Sequence, residues 1–318
     1  MTDWEQQLTR QGWADALIEL GDKDPNVVVL DADLSKSTLT CLFRDKFPDR
    51  FFNAGIAEQN MVNLASGLSL VDFVPFVCTY GVFVSGRAWE FIRTTVCVNN
   101  LNVKFGGAHG GLSVGPDGAT HQALEEISLM RCLPNMTVIV PSDYYETRKA
   151  TLAAAAMKGP VYVRFGREKV PVVTAPETPF EIGKAIVMRE GTDVTLIACG
   201  AMVAESLDAA DILAEKGIIA EVINLHTIKP IDKETILESV QKTGAVVTAE
   251  EHQVAGGMGS AVFEVLAQNY PVPGEMIGIQ DSFGESGKPS ELLEKYECLA
   301  ENIVEKALKV VSRKVISE

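Results

Sequence analysis

Several things are scarce in this 318-residue chain, and each scarcity excludes something. It has six cysteines (Cys41, Cys78, Cys97, Cys132, Cys199 and Cys298), scattered singly with no CxxC pair, so they read as reduced and mostly buried. A disulfide-stapled secreted scaffold is thereby excluded. There are four histidines and none stands at ligand spacing from a cysteine, so no metal site is expected in this chain. Basic residues are outnumbered, 28 Lys and Arg against 43 Asp and Glu, for a net charge of −15. That balance argues against nucleic acid and anionic membrane surfaces as general partners. No apolar run is long enough to span a bilayer, and the opening MTDWEQQLTRQ lacks an apolar signal core, so a cytoplasmic location is expected.

What is present is an ordinary globular composition, 47 % hydrophobic and 22 % charged, in a chain long enough for two domains. Residues 8–20 have amphipathic helical periodicity, with Gly21 as the expected stop. Short apolar runs at 27–30, 74–79, 102–106, 136–140 and 161–165 are separated by helix-length intervals. Strands alternating with helices predict an α/β fold, a parallel sheet covered on both faces, with loops at the strands' carboxyl ends as the site. The proline-bearing stretch 169–182 has no periodicity and reads as a linker between domain 1–168 and domain 183–318. After it the alternation resumes at 194–198, 220–225, 245–248 and 276–279, with fewer polar residues at the strand ends, and a helix over 290–311 closes the chain.

Within NAGIAEQNMVNLASGL, Glu58 lies three, four and seven residues before Met61, Val62 and Ala65, which puts the carboxylate on the apolar face of a helix. There it must find a partner or become protonated. A first-turn acid favoured by the helix dipole is the plainer alternative. The loop GGAHGGLSVGPDGAT, with six glycines in fifteen residues, leads into His121 and also holds His109 and Asp117. Such a loop is costly in conformational entropy unless it serves a ligand, and histidine is the natural proton carrier near neutral pH. Arg10, Ser37, Arg164 and Arg167 are candidate anion ligands, though spacing alone does not bring them together. Tyr80 and Phe83 at a helix start suit either core or a cofactor platform. GGMGS at 256–260 lacks the third glycine of GxGxxG and reads as tight packing before anion binding.

NAGIAEQNMV, GPDGATHQ, RCLPNMTVIVPSD and VRFGRE, in this order, resemble the thiamine diphosphate-dependent transketolase family. The resemblance covers essentially the whole chain, but only the carboxyl-terminal half of a full-length transketolase. It implies a pyrimidine-binding domain followed by a smaller transketolase carboxyl-terminal α/β domain, the latter serving subunit contacts rather than chemistry. The family's GDG…N motif, which holds magnesium and diphosphate, is absent. The implied partner is therefore an amino-terminal transketolase subunit that carries the diphosphate and Mg²⁺ (or Ca²⁺), in a dimer of heterodimers acting on sugar phosphates.

The resemblance assigns roles residue by residue. Glu58 matches the glutamate that bonds N1′ of the aminopyrimidine, and Tyr80 and Phe83 match aromatics packed on that ring. Asp33 and Leu34 match positions beside the cofactor. His109 and His121 match the substrate-channel histidines, and Asp117 the acid that reads a sugar hydroxyl. Arg10, Ser37 and Arg167, with His109, match the sugar-phosphate site. A third aromatic of the pyrimidine pocket is replaced by Gly86. The implied activity is transfer of a two-carbon ketol unit from a ketose phosphate to an aldose phosphate. The alternatives are a 2-oxo acid dehydrogenase beta subunit, half of a 1-deoxyxylulose-5-phosphate synthase-like enzyme, and a non-catalytic regulatory subunit.

Overall fold

A computed structural model of the protein describes residues 4–314. The first sheet has seven strands in the order Thr227–Lys229, Thr137–Ile139, Val161–Arg164, Lys104–Ala108, Val74–Tyr80, Val27–Asp31 and Phe51–Asn53. All neighbours are parallel except Thr227–Lys229, which runs antiparallel to Thr137–Ile139. Val27–Asp31, Lys104–Ala108 and Val161–Arg164 are buried throughout, as expected where helices cover both faces. The second sheet orders Gly274–Ile279, Val246–Gln253, Val194–Ala198, Ala220–Asn224 and Ile186–Arg189, with only the last strand antiparallel. The α/β fold expected from the alternating runs is therefore present, in two parallel-rich sheets.

The domains share more than a linker. Thr227–Lys229 follows a strand of the second sheet yet pairs at the edge of the first, and one apolar cluster joins Val138 and Val140 with Ile197, Ile223 and Leu225. The stretch read as a linker opens with a strand, Lys169–Pro171, paired antiparallel with Gln6–Leu8. No helix among the described residues is long and apolar enough to cross a membrane.

Two helix boundaries differ from the sequence expectation. Gly21 does not stop the first helix, which runs Thr9–Lys23. Gly21 is instead buried inside it, where an added Cβ would lie 2.5 Å from the Phe47 ring, so close packing explains the glycine. The closing helix is two helices, Pro289–Lys295 and Ala300–Ser312, interrupted where Glu297 takes a left-handed φ of 56°. The apolar period continues across that break, which is why periodicity alone joined them.

Candidate active site

Parallel topology gathers the candidate residues. Asp33, Tyr80, His109 and Arg167 lie at or just past the carboxyl ends of four adjacent strands, and Glu58 follows the edge strand Phe51–Asn53. This is the end of an α/β sheet at which ligands bind.

Glu58 opens the helix Glu58–Ser69 and is 2 % exposed, so it is at once the first-turn acid and the carboxylate turned toward Met61, Val62 and Ala65. Its partner is one that sequence reading missed: Arg87 Nη1 donates to Glu58 Oε1 at 3.0 Å. Arg87 stands four residues after Phe83, and its guanidinium carbon lies 4.1 Å from that ring's centroid. The four-residue spacing on one helix face was the available signal.

Phe83 stacks near-parallel to Tyr80 with centroids 5.7 Å apart, and His121 meets both rings edge-on. Tyr80 stacks on His109 at 3.9 Å. His109 is 1 % exposed and holds φ 57°, a conformation uncommon outside glycine, and Asp33 holds φ 65°. Such backbone outliers cluster at ligand sites. Burial pulls the His109 imidazole down to about 3, helped by the positive fields of Arg10 and Arg167 and by His121. The ring is thus neutral at pH 7, and its Nδ1 is buried with no hydrogen-bond partner among the described residues. His121 Nδ1 shares a 2.9 Å hydrogen bond with the Thr120 hydroxyl.

Arg10 donates to the Ser37 carbonyl at 2.8 Å, so Ser37 meets it through the backbone, not the hydroxyl. Burial and Arg167 together hold the Arg10 guanidinium below its ordinary value, the mark of two cations sharing a space. Arg167 in turn pairs with Asp117 at 3.1 Å and donates to the Val114 carbonyl at 3.0 Å. The turn carrying Asp33, Leu34 and Ser37 is built on buried Asp31, which accepts from the Leu34 amide at 2.7 Å and from the Thr40 hydroxyl at 3.1 Å. Leu34 is half-buried against the cluster that includes Tyr80, and Asp33 accepts from Asn53 Nδ2 at 3.2 Å.

Arg164 is not an anion ligand. It is 5 % exposed, its Nε donates to Glu126 Oε1, and its Nη2 donates to the Glu251 carbonyl at 2.7 Å. The glycine-rich loop also divides by function. A Cβ on Gly106 would come within 2.6 Å of Trp13, and one on Gly107 would strike the Tyr162 hydroxyl, so these two glycines are there for packing. Gly111, at φ 99°, needs glycine and lies against the Glu251 carboxyl. Glu251 also accepts from the Ser113 amide, while Gln122 Nε2 donates to the Leu112 and Glu285 carbonyls, 3.0 Å each. The second domain therefore buttresses the histidine loop directly, beyond the subunit contacts expected of it. The polar strand end that does so, Glu250-Glu251-His252, lay in a block that looked poor in such residues.

Residues 5–173 match the family described as "Transketolase, pyrimidine binding domain", and residues 183–303 match "Transketolase, C-terminal domain". A protein of Methanocaldococcus jannaschii, provisionally named a transketolase C-terminal section, is 47 % identical over 96 % of this chain and 96 % of its own. The 6-deoxy-6-sulfo-D-fructose transketolase subunit of Clostridium sp. (strain MSTE9) is 42 % identical over 98 % of this chain and 96 % of its own. A solved structure described as a split gene transketolase, inactive beta4 tetramer, superposes with a TM-score of 0.90 at 49 % identity, covering 98 % of this chain and all of its own. The chain belongs to the thiamine diphosphate-dependent transketolase family.

Proposed function

We propose that the chain is the carboxyl-terminal subunit of a two-chain transketolase, transferring a two-carbon ketol unit from a ketose phosphate to an aldose phosphate. The observation that carries this reading is the buried Glu58 carboxylate, linked through Arg87 to the Phe83 ring that stacks with Tyr80, at the same sheet end as His109, His121, Arg10 and Arg167. A flat aminopyrimidine fits that set, with Glu58 bonding its ring nitrogen and Phe83 and Tyr80 packing its face. Bound there, thiamine diphosphate would supply a nucleophilic carbon that adds to the donor ketone and carries the two-carbon unit. The chain's own residues orient and protonate. His109 and His121 hold protons at the sugar's oxygens, and His109, neutral and with a buried Nδ1 that has no hydrogen-bond partner among the described residues, is suited to hydrogen bonding. Asp117 reads a sugar hydroxyl, Asp33 and Leu34 border the cofactor, and Arg10 and Arg167 with Ser37 clamp the phosphate.

The same cationic pair suits a sulfonated sugar tail, the chemistry named for the Clostridium relative, since both groups are tetrahedral oxyanions. The diphosphate and its magnesium would be held by an amino-terminal partner in a dimer of heterodimers in the cytoplasm. The test is to purify the native complex, identify the companion chain, and assay xylulose 5-phosphate with ribose 5-phosphate. A companion bearing GDG…N and loss of at least about 100-fold in transfer on Glu58→Ala are expected. Full activity of this chain without a companion, or of the Glu58→Ala complex, would refute the reading.

A further inference from the structure

We infer that the Arg87 guanidinium holds the contacts that an aminopyrimidine would make with Phe83 and Glu58, and must swing out for the cofactor to enter. This rests on the function proposed above. The guanidinium is planar, stacks on aromatic faces and presents N–H groups at its edge. Here it makes two contacts: its carbon stands 4.1 Å over Phe83 and its Nη1 donates to Glu58 Oε1 at 3.0 Å. Those are the two contacts that a flat heterocycle would make with Phe83 and Glu58.

The arrangement is one of exchange rather than permanent partnership. Arg87 has only donors, so Oε1 accepts from it, and its guanidinium covers the Phe83 face on which a ring bonded to that carboxylate would stack. The Glu58 side chain is 2 % exposed and cannot turn to solvent, whereas that of Arg87 is 47 % exposed and can. A buried carboxylate without a partner is costly. Arg87 meets that need here, and the heterocycle would meet it in its place. Competition of this kind lowers apparent affinity by the fraction of molecules in which the site is open.

The experiment titrates thiamine diphosphate, with magnesium, into the reconstituted two-chain complex and reads binding by calorimetry. Arg87→Ala and Arg87→Met are expected to bind about 5- to 10-fold more tightly than wild type. The same variants of this chain alone, without added cofactor, should unfold at lower denaturant concentration, because Glu58 loses its Arg87 partner. Arg87→Lys keeps a charge for Glu58 and loses the planar stack, so intermediate affinity is expected, and it decides the matter if the other variants misfold. Unchanged or weaker binding by the Arg87 variants, with wild type binding normally, overturns the inference and leaves the proposed function standing. Failure of the wild-type complex to bind the cofactor overturns both.

Discussion

The Tyr80 and His109 rings stack with centroids 3.9 Å apart and planes inclined by 20°. With the left-handed backbone at His109, this fixes an imidazole on an aromatic platform and within the fields of Arg10 and Arg167. Neutrality of that ring is imposed by its surroundings, first by burial and then by the two cations. An oxyanion placed between the arginines would cancel the second effect and leave the first. The His109 pKa is therefore expected to rise from about 3 on binding a sugar phosphate, yet remain below the ordinary 6.5. Labelled-histidine NMR titration of the complex, with and without a sugar phosphate, measures it. An unchanged value would mean that the anion binds elsewhere.

Arg167→Ala should raise KM for a phosphorylated donor by about 10- to 100-fold, the worth of a charge-assisted hydrogen bond of roughly 1.5–3 kcal/mol. An unphosphorylated ketose should be almost indifferent to the change, because Arg167 would hold only the tail. Asp117 loses its 3.1 Å partner in this variant, and because it would read a sugar hydroxyl, any effect of that loss appears with both donors alike. Equal losses for both donors would assign Arg167 to loop structure instead.

How far the sequence revealed this site follows from what each signal measures. The core strands show as short continuous apolar runs and the Glu58 face as a 3.6-residue period; both signals are local, and these were legible. The meeting of Arg10, Tyr80, His109 and Arg167 depends on strand order, which no local period encodes; only the family resemblance placed them in one site. Gly106 and Gly107 misled because a glycine that admits a ligand and one that admits Trp13 or Tyr162 look alike in sequence. Arg164 misled similarly: its partners Glu126 and Glu251 are 38 and 87 residues away. Arg87 was missed: its stack on Phe83 is an i,i+4 relationship that a local reading carries, while its bond to Glu58 is not.

Arg164 joins the two domains through charge. Burial alone would disfavour its cation, but Glu126 and then Glu251 outweigh that and raise its pKa. Removing one member of a buried ionic set leaves the others unpaired, at about 3–5 kcal/mol. Arg164→Met should therefore lower stability by that order and loosen the Gly110–Ser113 turn, seen as faster amide exchange there. Arg164→Met with Glu126→Leu should recover part of the loss, since the stranded carboxylate is gone too. A single variant as stable as wild type would contradict this account.

His252 gives a pH dependence whose sign can be worked out. Its Nδ1 donates to the Gln253 carbonyl at 2.7 Å and its Nε2 accepts from the Ile127 amide at 3.2 Å, so the folded chain requires the neutral ring. Facing it are Glu126 Oε2 at 3.9 Å and Glu250 Oε2 at 3.8 Å. Nevertheless, burial dominates and, with the Arg164 charge, depresses the ring to about 3 against an ordinary 6.5. Between those values the unfolded chain binds the extra proton. The stability from neutral His252 is thus fully present above about 6.5 and lost as pH falls toward 3, by at most about 1.4 kcal/mol per pH unit. His252→Gln removes that titration. The stability advantage of wild type over the variant, from urea unfolding at pH 7.5, 6.5, 5.5 and 4.5, should be constant over the first interval and shrink over the rest. An advantage that stays level or widens in acid would show that Glu126 and Glu250 offset the burial and that the folded chain accepts the charged ring.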